Sequence, residues 1–570
     1  MRDSVIASVL AAGLVLGLAP YATSGVNLHH DGIMLKPALD VLSGQVLFRD
    51  TFMQYGSLTC YLQALALWIF PSLLSIRLLT VAAYAISLYF NYLSWRLLLP
   101  RPLALLAGGL FILLIPTGDY GIFLSWSSVY AMMFQSICLY GLCQVIRGVT
   151  PARHGFVLGV AGACAFWCRQ PVGIILLGSL VVIGAVLHAT GWQLPAGAKR
   201  KTAACVVGGF LLVNLGMFSA IALPGAWSDW WYQNFVWPSK WASDGLGAVY
   251  WRKYALPALR PVESASLVAI FLAAALPNFV TRNLRREAGR EIIAYYLVLL
   301  GAIAWQHERL FRLFSLQTGG WGLAIPFFVI AQIAISGSDA FVARKQTRPV
   351  EFYLVGALAV LSLGSLGQYF PVSDPWHVMW SLSPALGLFV FVLWRWTGWR
   401  APLLALVMTG CLGPALWKNA TAFWTSVTEP SVTLAQPPSL RGMRVSTQQA
   451  RELGELNKIV GRVLLRAPDI PSLLFGDDAG YLCFTKNVAN PTPYYVTWEG
   501  LAPSADTARR FRYIHEVRPL LFILHPVRGA LQTYFQNERY ESLGYFQAQD
   551  LEIAAPREVM ARTPPGPAGP

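Results

Sequence analysis

Charge is scarce in this chain. Asp, Glu, Lys and Arg make up 12% of its 570 residues while 55% are hydrophobic, against about 25% charged in soluble domains. That balance excludes an ordinary water-soluble protein. Cysteine is sparse too: none of the eight has metal-ligand spacing, which argues against a zinc ribbon or an iron–sulfur centre. Cys138, Cys143, Cys164, Cys168, Cys205 and Cys411 lie in apolar runs, where cysteine behaves as a small hydrophobe. Only Cys60 and Cys483 fall elsewhere, and nothing in their spacing supports a disulfide. There is no internal repeat, and the one low-complexity stretch is the terminal TPPGPAGP, expected to be a disordered tail. No cleavage site follows the first apolar run, so a retained first span is expected. Acidic residues are the minority, giving a net charge of +15. The basic ones sit in short clusters between apolar runs, which is topology information rather than a nucleic-acid footprint.

What the chain has is a succession of apolar runs, each long enough to cross roughly 30 Å of hydrocarbon as a helix. Spans are expected at 4–24, 77–98, 102–117, 125–146, 154–168, 170–189, 203–223, 263–281, 290–306, 320–336, 351–370, 378–396 and 401–417. The fold class is therefore mainly α, with about thirteen transmembrane helices in residues 1–417. With the N-terminus in the cytoplasm, Arg96/Arg101, Arg147/Arg153, Lys199–Lys201, Arg282–Arg290, Arg344–Arg348 and Arg395/Arg400 all fall inside. The alternation requires a tight turn at Arg169-Gln170-Pro171 between two short spans, and Pro171 suits a first helical turn. Four segments then face outward: 25–76, 224–262, 307–319 and 371–377. The first should hold surface helices at Gly32–Ser43 and Leu58–Phe70, and the second, rich in tryptophan, an aromatic belt. From 418 onward charge returns. Thr447–Arg466 reads as an amphipathic helix, and Ser472–Phe475 and Leu520–Leu524 as short buried strands. A small extracytoplasmic α/β domain over 418–570 is expected.

The stretch Asn27–Gly56 concentrates the chemistry: His29, His30, Asp31, Lys36, Asp40, Arg49 and Asp50 crowd between apolar neighbours. Ionisable groups beside a span are costly near lipid and mark a candidate site. A carboxylate at Asp31 can take a proton from a hydroxyl; equally, it can cap a helix starting at Gly32. Asp50 is a second carboxylate, and Arg49 an anion clamp or simply its partner. Lys36 and Asp40, one turn apart, read as a surface pair. His29 and His30 are weak metal ligands.

Asp31-Gly32, Leu42-Ser43-Gly44, Leu47-Phe48-Arg49-Asp50 and Tyr55-Gly56, placed after a first span, resemble the first external loop of the GT-C superfamily. The resemblance is to its protein O-mannosyltransferase and aminoarabinose-transferase branch, and covers about 50 residues. The span number and outer C-terminal domain fit more loosely. Members are polytopic glycosyltransferases that use polyprenyl-phosphate sugars. Many have two adjacent acids where this chain has Asp31-Gly32, so a divalent metal is allowed but not required.

The resemblance implies inverting transfer to an external glycan, lipid-linked saccharide or protein, with Asp31 activating the acceptor. The leaving phosphate needs cations aimed at it. Arg169 sits in a pattern similar to the family's Leu-x-R-x-P. His307, Arg309 and Arg312 cluster after the ninth span, and arginine suits phosphate through its planar fork. Asp374 and His377 resemble an Asp/His pair before a late span. Glu308 and Asp119 are weaker outer candidates. The rival reading is a transporter or flippase of lipid-linked saccharide, which would favour ionisable groups or broken helices at the midplane.

Overall fold

The computed structural model describes residues 2–53, 55–115, 125–192, 194, 197–239, 252, 260–281, 298, 321–342, 349–369, 375–397, 417, 420–475, 491–492, 504–524, 540–546 and 551–562. Its helices are α1 (Arg2–Thr23), α2 (Leu28–Leu42), α3 (Ser57–Ile69), α4 (Leu73–Trp95), α5 (Arg101–Leu114), α6 (Ser127–Ile146), α7 (Pro151–Cys168), α8 (Gln170–Ala189), α9 (Ala198–Ala222), α10 (Trp227–Trp231), α11 (Pro261–Thr281), α12 (Trp321–Val342), α13 (Val350–Ser365), α14 (Pro375–Leu382) and α15 (Ala385–Thr397). A helix stands at each expected span except 290–306 and 401–417, of which only Val298 and Trp417 are among the described residues. Among those described, α1, α4, α6, α8, α9 and Val350–Gln368 are long and apolar enough to cross a bilayer, and the bent pair α14–α15 adds a seventh if it is one span.

Two local features shape the bundle. α7 and α9 approach through glycine: a Cβ on Gly159 would lie 2.0 Å from the Val206 carbonyl oxygen. Small residues at such a crossing let helix backbones touch where no hydrophobic effect drives them together. The span expected at 378–396 is broken at Ser383-Pro384 and bent by 64°, because proline removes an N–H and its ring clashes with the preceding turn. Ser365 Oγ donates to Ser381 O at 2.5 Å and Trp95 Nε1 to Pro384 O at 3.4 Å. Carbonyls near the break thus find partners without water.

Helices stand at both of the segments expected to be helical in the first loop, α2 and α3, with α2 starting four residues early because Asn27, not Asp31, caps it. Asn27 Oδ1 accepts from His30 N at 2.8 Å, satisfying one of the orphan donors of a first turn. Lys36 and Asp40 are not a surface pair. Their side chains ion-pair at 1% and 7% exposure. The lysine pKa is lowered, mainly by burial and slightly by Arg510 of the C-terminal segment, against the opposing pull of Asp40.

Beyond residue 430, β1 (Ser431–Thr433) pairs antiparallel with β2 (Arg444–Ser446). A four-stranded sheet runs in the order β3 (Ser472–Phe475), β4 (Leu520–Leu524), β6 (Leu551–Pro556), β5 (Tyr540–Phe546), with β3–β4 parallel and the others antiparallel. Helices α16 (Thr447–Arg466) and α17 (Ser504–Val517) accompany it. Leu453, Leu456, Val460 and Val463 of α16 bury in one cluster with Leu35, Phe52, Leu67 and Ile76. The C-terminal elements therefore share a core with the first loop. Gly25 N donates to Arg444 O at 2.7 Å, and Gln449 Nε2 to Val26 O at 2.6 Å, holding the α1–α2 connection.

Candidate active site

The site is built where α1 ends. Asp31, in the first turn of α2, is 5% exposed and its Oδ2 accepts from Arg77 Nη2 at 2.6 Å and from Asn27 N at 2.9 Å. Arg77 is fully buried in the first turns of α4 and donates from Nη1 to Ser24 O at 2.9 Å. A cation there also suits the carbonyl end of α1. Arg77 went unnoticed in the sequence because a lone arginine at the start of an apolar run reads as an interface anchor. Its only signal was that no other charge occurs between Asp50 and Arg96.

One residue before Asp31, His30 meets the Trp126 ring edge-on at 5.6 Å. Trp126 also packs on His377 at 5.7 Å, Trp380 at 6.0 Å and Tyr55 at 6.2 Å. His377 and Trp380 come from α14, and Trp380 Nε1 donates to Tyr84 OH at 2.9 Å. The guanidinium of Arg169 lies over the Tyr55 ring at 5.9 Å and donates to Ser128 Oγ at the start of α6, an arrangement with cation–π character. Arg169 is 9% exposed and sits in extended backbone between α7 and α8. Gly56 N donates to Cys168 O at 3.0 Å, and a Cβ on Gly56 would fall 2.0 Å from Trp167 O. Only glycine lets the Tyr55 loop lie against the Arg169 turn. Thus α2, the Tyr55 loop, α6, the α7–α8 turn and α14 converge on one buried polar and aromatic cluster. Trp126, Tyr84 and Ser128 were not among the sequence candidates; tryptophan and serine are too common at membrane interfaces to stand out.

Arg49 and Asp50 are placed elsewhere. Arg49 Nε donates to Asp50 Oδ1 at 2.9 Å and its Nη1 to Pro224 O at 2.9 Å, while Asp50 Oδ2 accepts from Val46 N at 2.8 Å. They close the 46–51 turn, where Phe48 takes a φ of 72°, and clip it to the segment before α10. Neither bonds to the Trp126 cluster. The Arg49 hydrogen bond holds the Asp50 carboxyl below its ordinary range, with burial opposing. His307, Glu308, Arg309, Arg312, Asp374 and Asp119 lie outside the described residues, as does the His29 side chain. Among the described residues no three His, Cys, Asp or Glu side chains gather as a metal cage. Cys60 is a buried free thiol; Cys483 lies outside the described residues.

The fold and the site together define a helical, multi-span membrane protein with an ion-paired carboxylate beside a cationic, aromatic cluster. No protein-family model matches the chain and no curated protein does. Similar solved structures include the oligosaccharyltransferase AglB of Archaeoglobus fulgidus in complex with an inhibitory peptide and a dolichol-phosphate, at 12% identity and TM-score 0.49, covering 94% of this chain and 70% of that one. The oligosaccharyltransferase of that organism with zinc and sulfate is similar at 12% identity and TM-score 0.44; 80% of this chain is covered and only 55% of that one. ArnT of Cupriavidus metallidurans bound to undecaprenyl phosphate is similar at 13% identity and TM-score 0.42, covering 97% of each. These neighbours are GT-C glycosyltransferases. At such identities and TM-scores, the function of this chain is a matter for its own residues.

Proposed function

We propose that the protein is an inverting membrane glycosyltransferase that moves a sugar from a polyprenyl-phosphate donor to an extracytoplasmic glycan, lipid-linked saccharide or protein. The observation that carries the reading is the convergence of His30, Arg169 and His377, drawn from three separate segments, on the start of α6 and the Trp126 ring, with Asp31 next to His30 in α2. Arg77 and the Asn27 N–H hold Oδ2 of Asp31, so Oδ1 is the atom that takes the acceptor's proton. The acceptor oxygen bonds to the anomeric carbon as the bond from that carbon to the phosphate oxygen breaks. The polyprenyl phosphate leaves with the electron pair, and Arg169 and His377 offset its charge. Arg309, Arg312, His307 and Asp374 are proposed as further donor-site groups on the outer loops. In this reading the N-terminus is cytoplasmic, residues 1–417 are the membrane module, and 418–570 form the outer domain. Arg49 and Asp50 hold the first loop in place.

The test is transfer of labelled sugar from polyprenyl-phosphate donors by purified protein in nanodiscs. Asp31→Asn should lower the rate by about 10²–10⁴-fold, the usual size of general-base catalysis; near-normal transfer in that variant would refute the mechanism. The broken α14–α15 span favours a second reading, a flippase for lipid-linked saccharide. Movement of an intact donor across the bilayer with no covalent transfer would establish that rival.

A further inference from the structure

The amino-terminal end of α6 is polar although it is buried in the protein. α6 runs for 20 residues and has Trp126 at its cap position with no side chain capping it. The first N–H groups of a helix have no partner within it, and together with the helix dipole they favour an anion. Side chains at a helix start tilt outward past that end. Ser127 is the first residue of α6, is fully buried, and its hydroxyl has no hydrogen-bond partner. The Ser125 hydroxyl and the Trp126 indole N–H are likewise buried without partners. Gln63 Nε2 donates to Ser125 O at 2.8 Å. Buried groups of this kind are ordinarily satisfied. Here several orphan donors surround one helix end, and Arg169 reaches that same end through Ser128. We infer that the start of α6 is a phosphate-binding site, with Ser127, Ser125 and the Trp126 N–H donating to the anion alongside Arg169. This rests on the functional reading above and deepens it: the site places the phosphate ester of the donor over the α6 terminus, beside His377 and within reach of the Asp31 loop.

The test is binding, so that it does not depend on turnover. Full-length protein in nanodiscs is titrated with polyprenyl phosphate, with the uncharged polyprenol, and with inorganic phosphate as competitor. The wild type should bind the phosphorylated lipid at least about tenfold more tightly than the alcohol, the worth of one charge-assisted hydrogen bond. Ser127→Ala should reduce that preference, and Trp126→Phe should reduce it with the ring packing retained. Ser127→Asp is the decisive variant, because an acid in a first helical turn favours the helix but repels a phosphate. It should lose the preference, with a melting temperature lowered by burial of the carboxylate. Displacement by millimolar inorganic phosphate alone would support the same anion site and assign it to free phosphate. Equal binding of lipid phosphate and alcohol by the wild type, or an unchanged preference in folded Ser127→Asp, would overturn the inference. If binding behaves as expected but no sugar is transferred by the wild type, the glycosyltransferase reading fails and the phosphate site stands.

Discussion

At the residue scale the decisive pair is Asp31 and Arg77. Both are buried, so each is taken out of water at a cost that only the other, with its hydrogen bonds, offsets. Removing one partner of such a pair typically costs about 3–5 kcal/mol, a substantial part of a stability of roughly 5–15 kcal/mol. Arg77→Met alone should therefore lower the melting temperature measurably, and an unchanged value would show the pair to be idle. Asp50 gives a pH-dependent prediction. Its carboxyl is held below the ordinary range by Arg49, so its stabilising effect is full above the unfolded value near 4. That effect is lost as pH falls through the lower folded value. The melting-temperature gap between wild type and Asp50→Asn should be present at pH 6 and vanish in strong acid. A gap constant with pH would contradict the Arg49 assignment.

At the scale of elements, the Arg169 turn depends on how closely α3 and α7 approach. Gly56→Ala would drive a methyl into the Trp167 carbonyl, and overpacking of this kind costs about 1–3 kcal/mol. Expected are a lower melting temperature and weakened binding of polyprenyl phosphate, since the displaced turn carries Arg169. Much of this level was legible beforehand. The α7–α8 turn followed from Pro171 and the charge alternation, and α16, β3 and β4 from period and strand length. The break at Ser383-Pro384 was hidden because the surrounding run is apolar on both sides and reads as one span. The Asp31–Arg77 pair was hidden for a different reason: its members are far apart in sequence, and local patterning cannot show a long-range partner. The Lys36–Asp40 spacing was visible, but its burial depends on tertiary packing that i, i+4 spacing does not show.

For the whole molecule, the helical bundle and the C-terminal elements are joined through the segment between α1 and α4. Leu35, Phe52, Leu67 and Ile76 are covered by α16 and the sheet, and β2 hydrogen-bonds the end of α1. Deleting 418–570 should expose that apolar surface, make the α2 region sensitive to protease and abolish transfer. If deletion removed function while Asp31 variants had no effect, the chain would be a docking protein rather than an enzyme. Positioned so, the C-terminal segment braces the loop that carries Asp31, which accounts for its large shared core.

The account rests on Asp31 acting in chemistry and not merely as the counterion of Arg77. The direct measurement is single-turnover sugar transfer by wild type, Asp31→Asn and the double variant Asp31→Asn/Arg77→Met, with melting temperatures taken alongside. Recovery of the melting temperature in the double variant, with transfer still depressed by about a hundredfold or more, is the predicted result. Recovery of both stability and transfer would contradict it, leaving Asp31 a structural partner and the catalytic base elsewhere.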